Sequence, residues 1–303
     1  MPRLDATARG ALDWGIVAAA LSSVIGGTAI GATRYLAGAL SPVAIGACRF
    51  GIGCALLLPL CRWQRAPWPP RRDAACAMAL GLLLFTAFPL LFNTALRATT
   101  ASRGALDLST MPLLTMVIGA LLGVEAFDRR RCIGVCVAIA GVAVSLLSGL
   151  AAAPRGAWRG DLTMLLAACG MAAYNVLAKP LFARSSALSV TCVAMSTGAA
   201  GLLLLALAGG ALRPLRELDA AGALALLYLG VFGGAAAFYL WSLGLQRSSP
   251  TQVATTVTLN PVSAAWVGHA LLGEALPWST WVGVAAIFAG IVLASTSASA
   301  RAA

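Results

Sequence analysis

The sequence has few charged residues for its length. Only 10% of its 303 residues are Asp, Glu, Lys or Arg, whereas a soluble domain carries about 25%. So few charges cannot cover the surface of a soluble protein of this size. No stretch is long and polar enough to form a separate soluble domain, so the composition excludes a soluble fold.

Histidine and the common catalytic motifs are scarce as well. His269 is the only histidine, and the sequence has no Gly-x-Ser-x-Gly, His-Glu-x-x-His or Gly-x-x-x-x-Gly-Lys-Ser/Thr motif. The eight cysteines include no Cys-x-x-Cys pair and mostly fall within apolar stretches, which is typical of small buried hydrophobic residues. We therefore expect no ATP-driven pump, no bound metal and no cofactor.

Long apolar stretches, in contrast, are abundant. Hydrophobic residues make up 60% of the chain, and apolar stretches of about 20 residues recur along its whole length. That is the length a helix needs to cross a hydrocarbon core of about 30 Å. The sequence predicts an all-α, polytopic membrane protein within the lipid bilayer. The net charge of +11 is explained by arginines at helix ends, so we expect no nucleic-acid partner.

Proline pairs, arginine clusters and polar turns divide the chain into ten predicted transmembrane helices. Examples of these breaks are Ser41-Pro42 and the proline-rich Pro67–Pro70. The predicted spans are 13–33, 41–60, 74–96, 101–123, 131–149, 161–181, 188–209, 219–245, 250–273 and 277–297.

The loop arginines predict the orientation of these spans. With the N-terminus in the cytoplasm, nine arginines of the first half lie inside and three lie outside. In the second half, Lys179 and three arginines lie inside and four arginines lie outside, so this half is balanced. Ten spans return the C-terminus to the same side. We therefore expect a bacterial-type inner membrane protein with both termini in the cytoplasm.

The two halves of the sequence resemble each other. An offset of 149 residues relates Pro112 to Pro261, and the same offset relates Glu125 to Glu274, Gly134 to Gly283 and Gly141 to Gly290. We divide the chain into repeat one, residues 1–150, and repeat two, residues 151–303. Each repeat has five spans, and an odd number inverts the second copy, which predicts a 5+5 inverted repeat. This architecture recurs among secondary transporters, which bind their solute between the two repeats.

Three groups of residues within the predicted spans are candidates for function. Pro112 and Pro261 lie near the middle of spans four and nine and predict a hinge or cavity wall, with a packing kink as the alternative. Asp107 is interpreted as a proton-titrating group and Arg49 as its partner or a substrate anchor; a structural ion pair is the alternative.

The third group is aromatic and amide side chains that predict the wall of a solute cavity. Helical spacing places some of them on one face, and packing or contact with lipid is the alternative. The candidates are Trp14, Phe85, Phe88, Phe92, Asn93, Tyr174, Asn175, Phe238, Trp241 and Asn260.

The order and spacing of several short motifs resemble the drug/metabolite transporter superfamily, in its ten-span EamA-type branch. The motifs are Ser41-Pro42 with Arg49-Phe50, Met111-Pro112, Gly123-Val124-Glu125, Asn260-Pro261 and Gly273-Glu274. The resemblance implies an inner-membrane secondary carrier, commonly an exporter of amino acids or related metabolites. It also implies a central cavity, with helices five and ten at the periphery.

Together these observations predict a secondary active transporter that exports small metabolites such as amino acids by alternating access. Its expected partners are a small-molecule solute and the lipid bilayer, with protons as a candidate coupling ion. Because one chain holds both orientations, we expect a monomer. The alternatives are a facilitative channel and, with the least support, an intramembrane enzyme.

Overall fold

The protein is described here from a computed structural model, which covers residues 13–99, 101–145, 156–272 and 278–295. Within these ranges all regular structure is helical. The α-helices are α1 Trp14–Leu36, α2 Pro42–Trp63, α3 Arg71–Gly81, α4 Phe88–Ala98, α5 Ala101–Leu108, α6 Met111–Leu121, α7 Arg129–Ser145, α8 Trp158–Arg184, α9 Ala187–Ala208, α10 Ala220–Tyr228, α11 Ala237–Arg247, α12 Pro250–Thr255, α13 Leu259–Leu272 and α14 Trp278–Ser295.

Several of these helices join into rods that are long and apolar enough to cross a membrane. In the described part of the chain seven rods meet that criterion, and Trp278–Ala294 is a shorter apolar helix. The prediction of an all-helical, polytopic membrane protein is therefore confirmed, whereas the count of ten spans stays a prediction. The seven are Trp14–Thr33, Pro42–Trp63, Arg71–Ala95, Arg103–Leu121, Trp158–Arg184, Ala187–Ala208 and Ala220–Arg247.

Two of the rods contain a π-helical turn in their middle. Leu82–Ala87 connects α3 to α4, and Leu229–Ala236 connects α10 to α11. Pro89 follows the first turn and cannot donate a backbone hydrogen bond to the carbonyl four residues earlier. The second turn contains Gly233 and Gly234. Both turns widen the backbone without ending the rod.

The two prolines that the sequence pairs each follow an interruption of their helix. Pro112 lies in the first turn of α6, and α5 ends at Leu108 just before it. Pro261 lies in the first turn of α13, directly after the 3-10 turn Thr256–Thr258. The interruptions arise because proline lacks the N–H group that would continue the α-helical hydrogen bonds.

Helices α7 and α14 pack against each other with their backbones in close contact. A Cβ added at Gly134 would lie 2.6 Å from the backbone nitrogen of Ala294, and one added at Gly141 would lie 2.7 Å from the carbonyl oxygen of Gly283. Gly134, near the start of α7, therefore contacts the end of α14, and Gly141, further along α7, contacts the start of α14. The two helices are antiparallel. Small residues allow this approach in a membrane.

Helices from both halves of the chain surround the centre of the molecule. α1 packs on α11 and α13, α2 on α9, and α4 on α8. The largest hydrophobic cluster lies between them and includes Phe85, Phe182 and Met195. This arrangement brings residues far apart in sequence to a common central space.

Candidate functional site

A cavity of about 180 Å³ lies at the centre of the helices. Its walls come from α1, α2, α4, α8, α11 and the junction of α12 with α13, and they also include Leu108 at the end of α5. Leu108 and Val257, four residues before Pro112 and Pro261, both line it. Each helix interruption is therefore directly at the cavity wall.

Seven of the residues selected from the sequence line this cavity. They are Arg49, Phe88, Phe92, Asn93, Phe238, Trp241 and Asn260. The surrounding surface is mainly apolar, and these residues supply most of its aromatic and polar groups. Their chemistry suits a small solute with an apolar part and a few polar groups.

The other selected residues lie elsewhere. Trp14 begins α1 with 68% of its surface exposed, as an interfacial anchor would be, and it does not line the cavity. Phe85 is fully buried, with its ring centroid 5.0 Å from that of Phe50 and 4.8 Å from that of Phe238. Pro112 and Pro261 do not line the cavity either.

Asn175 and Tyr174 are buried behind the cavity wall as well. The indole Nε1 of Trp241 donates a hydrogen bond to Asn175 Oδ1 at 3.0 Å. Trp241 lines the cavity. Asn175 therefore influences the cavity wall indirectly, because it holds the indole of Trp241 in one orientation.

Two serines on α1 line the cavity and were not selected from the sequence. Ser22 Oγ donates to the carbonyl oxygen of Ala237 at 2.7 Å, and Ser23 Oγ lies 2.9 Å from Thr256 Oγ1. They connect α1 to the start of α11 and to the 3-10 turn. The two serines are adjacent in the middle of an apolar span, and this pattern could have identified them from the sequence.

Arg49 is held by the second π-helical turn. Its Nη2 donates to the carbonyl oxygen of Gly233 at 2.7 Å, and the guanidinium carbon lies 5.4 Å from the ring centroid of Phe50 and 5.9 Å from that of Phe238. Among the described residues it forms no ion pair. Arg49 and Asp107 therefore form no ion pair with each other in this structure, and the roles given to them from the sequence stay predictions.

Asp107 lies instead beside a separate ion pair. Arg103 pairs with Asp161, which also accepts a hydrogen bond from Thr99 Oγ1 at 2.6 Å. Asp107 Oδ2 is buried and accepts no hydrogen bond from the described residues. Asp161 begins the sixth predicted span and was not selected from the sequence. The carboxyl group of Asp107 is thus close to charged neighbours but outside the cavity lining.

Polar contacts close the bundle at the end where α8 and α11 terminate. Lys179 Nζ donates to the carbonyl oxygens of Leu245, Gln246 and Ser248 at 2.7, 3.3 and 2.9 Å. Gln246 Nε2 donates to the carbonyl oxygen of Phe182 at 3.1 Å. The lysine satisfies carbonyls that the end of α11 leaves without helical partners.

A second set of contacts at this end involves the loop after α6. Glu125 Oε2 accepts hydrogen bonds from the backbone N–H and the hydroxyl of Thr251, at 3.1 and 2.9 Å, and Glu125 also pairs with Arg131. Thr251 is in the first turn of α12, where a negative charge is favourable. The carboxylate therefore joins the two halves of the chain.

Comparison with known proteins identifies this type of bundle. The model of the EamA-like transporter family matches the chain twice, at residues 13–147 and 158–296. A protein of Streptantibioticus cattleyicolor named "Probable terminal-alkyne amino-acid exporter" is 28% identical over 226 residues, or 74% of each chain. The uncharacterized inner membrane transporter YedA of Escherichia coli is 26% identical and covers 83% of this chain and 81% of its own.

Two further similarities extend over most of the chain. The uncharacterized protein PA1977 of Pseudomonas aeruginosa is 30% identical over 259 residues, which is 84% of each chain. A solved crystal structure of a protein shares the fold with a TM-score of 0.76 at 22% identity, over 93% of this chain and 96% of that one. From the family match and the apolar helices, the chain is an integral, multi-pass membrane protein with a transporter role, and it belongs to the EamA-like transporter family.

Proposed function

We propose that the protein is a secondary active transporter that exports a small metabolite, such as an amino acid, by alternating access. The observation that carries the proposal is the central cavity, whose walls come from both segments that match the family model. Such a cavity between two halves can change access when the halves move relative to each other. A relative named as an amino-acid exporter supports the substrate class.

The position of the cavity along the helices supports an outward-facing state. On α1 the lining residues run from Ser22 to Thr33, and on α2 they run from Ile45 to Phe50. These segments lie at the end where α1 terminates and α2 begins. The contacts of Lys179 and Glu125 lie at the opposite end. With the N-terminus in the cytoplasm, as the arginine distribution favours, the closed end is the cytoplasmic one.

Several features support a 5+5 inverted repeat of ten spans, with residues 1–150 and 151–303 as its copies. The π-helical turns fall at matching positions, since Leu82–Ala87 shifted by 149 residues is 231–236 and lies within Leu229–Ala236. Both paired prolines follow helix interruptions. In α7 and α14 the repeat-related glycines contact each other crosswise, Gly134 with Gly290 and Gly141 with Gly283. We propose a monomer in the inner membrane.

The test is solute counterflow in liposomes that contain the purified protein. Liposomes are loaded with one unlabelled amino acid or related metabolite, and uptake of the same labelled solute is measured. A carrier accelerates uptake when solute is present inside, whereas a facilitative channel shows no such stimulation. Protein-free liposomes are the control. If no solute of the panel enters faster than it enters the control liposomes, the proposal fails.

A further inference from the structure

Among the described residues, one charged side chain lines the cavity, and it is a cation. Arg49 is the only Asp, Glu, Lys or Arg among the described residues that line it. The acidic groups of the three ion pairs in the described part of the chain, Asp73, Glu125 and Asp161, are paired with other arginines. The solute space is therefore positively charged, and no carboxylate among the described residues lines it to neutralise Arg49.

The guanidinium of Arg49 is fixed but incompletely bonded. One nitrogen donates to Gly233, and the rings of Phe50 and Phe238 flank the group. Its Nε is buried and has no hydrogen-bond partner in the part of the chain that the structure describes. A Cβ at Gly233 would lie 3.2 Å from Nη2 and 3.3 Å from Nε, so glycine at this position leaves room for the guanidinium. An unpaired charge at membrane depth is costly and marks a functional site.

A second polar group on the cavity wall is also unpartnered. Asn260 Oδ1 is buried and accepts no hydrogen bond from the described residues. Gly26 on α1 faces this amide, because a Cβ there would lie 3.4 Å from Oδ1. The acceptor suits an N–H donor of a solute. The remaining walls include Phe88, Phe92 and Trp241, which suit an apolar group.

We propose that Arg49 binds the carboxylate of the transported solute, and that the cavity therefore selects solutes with one carboxylate over their neutral or cationic analogues. Asn260 accepts a hydrogen bond from an N–H group of the same solute. The planar guanidinium can donate two parallel hydrogen bonds to a carboxylate. A phosphate monoester carries close to two negative charges at neutral pH, and one arginine would leave the second uncompensated. This inference rests on the proposed transport function.

Matched pairs of acid and amide test the proposal in the unmodified protein. Binding of phenylalanine, leucine and tryptophan is compared with binding of their C-terminal amides, by calorimetry on protein in lipid nanodiscs at pH 7. At least one acid should bind about 30-fold or more tightly than its amide, as expected for a buried charge pair that loses one partner. Equal or tighter binding of the amides, or no binding of any acid at millimolar concentration, would overturn the assignment.

Variants of Arg49 then identify the residue responsible. Arg49→Gln should weaken binding of the acid about 30-fold and leave binding of the amide nearly unchanged, whereas Arg49→Lys should retain part of the preference. Arg62→Gln is the matched control, because Arg62 is an exposed arginine on the same helix outside the cavity. An undiminished preference for the acid in Arg49→Gln would contradict the assignment.

The same samples separate this inference from the proposed function. If counterflow is robust but acids and amides compete for it equally, the transporter proposal stands and the role of Arg49 is wrong. If acids bind through Arg49 but no counterflow occurs, the site is present and the transport proposal fails. Asn260→Ala should reduce the affinity for phenylalanine more than that for 3-phenylpropionate, which lacks the amino group; equal losses would remove Asn260 from the site.

Discussion

Replacing Gly134 with alanine is expected to destabilise the protein, because the contact between α7 and α14 has no room for a methyl group. The added Cβ would lie 2.6 Å from the backbone nitrogen of Ala294, and ordinary van der Waals contact begins at 3.4 Å. The helices would have to separate by about 0.8 Å, which is 3.4 minus 2.6. Overpacking of this kind costs about 1–3 kcal/mol.

Gly51→Ala provides the matched control. Gly51 lies in α2 and is exposed, and no atom of the described residues lies within 4 Å of an added Cβ. Both substitutions gain the same helix propensity, about 1 kcal/mol in favour of alanine. The difference between the two variants therefore isolates the cost of the contact, and Gly51→Ala alone should be neutral or stabilising.

The measurement is the apparent Tm of each variant in the same detergent. A cost of 1–3 kcal/mol corresponds to roughly 2–12 °C, at about 2–4 °C per kcal/mol for a chain somewhat shorter than this one. We expect Gly134→Ala to melt below Gly51→Ala by that amount, and Gly290→Ala to behave like Gly134→Ala because its added Cβ would lie 2.5 Å from the carbonyl oxygen of Gly134. Equal Tm values for Gly134→Ala and Gly51→Ala would refute the backbone contact.

Three other predictions concern the cavity, the coupling and the topology. Asn175→Leu removes the acceptor of the hydrogen bond from the Trp241 indole, which costs about 1 kcal/mol. The KM for transport should therefore rise about fivefold, with little change in the amount of folded protein. An unchanged KM would show that Asn175 does not position Trp241. Asp107→Asn should flatten the pH dependence of flux if the carboxyl carries the coupling proton, whereas an unchanged profile between pH 5.5 and 8 would leave it a structural group. In a background without the native cysteines, Arg71→Cys should react with an impermeant maleimide only from the cytoplasmic side and Arg159→Cys only from the outside; the reverse labelling would overturn the proposed orientation.

The helices could be predicted from sequence because their causes are local. Apolar length sets the spans, and prolines such as Pro112 interrupt a helix wherever they occur. The described helices accordingly start and end near the predicted spans, for example Pro42–Trp63 against 41–60. The two π-helical turns were not predicted, because a hydropathy pattern does not distinguish backbone hydrogen bonds between residues five apart from those between residues four apart.

The first π-helical turn also explains why Phe85, which the sequence predicts in the cavity wall, does not line the cavity. Spacings of three and four residues place Phe85, Phe88 and Phe92 on one face of a regular α-helix. Phe85 lies within the turn Leu82–Ala87, where the wider winding changes the direction of its side chain. It packs between Phe50 and Phe238 instead, while Phe88 and Phe92 line the cavity.

The partners of charged residues could not be predicted, because they depend on how helices are rotated against each other. Arg49 and Asp107 are both intramembrane charges of opposite sign, which favoured a pair. Asp107 lies instead near Asp161 of α8, which pairs with Arg103, and Arg49 faces a backbone carbonyl of Gly233. Backbone acceptors exposed by an irregular turn leave no signal in the identities of the side chains.

The contact between α7 and α14 has a consequence for how motion can be observed. Two main chains that touch at Gly134 and Gly290 have no rotamers to exchange, so we expect this pair to move as one rigid body. It lies outside the cavity lining and therefore provides a fixed reference frame inside the molecule. A spectroscopic probe on this pair, combined with a second probe on α4 or α11, would report displacement of the cavity wall as a single changing distance.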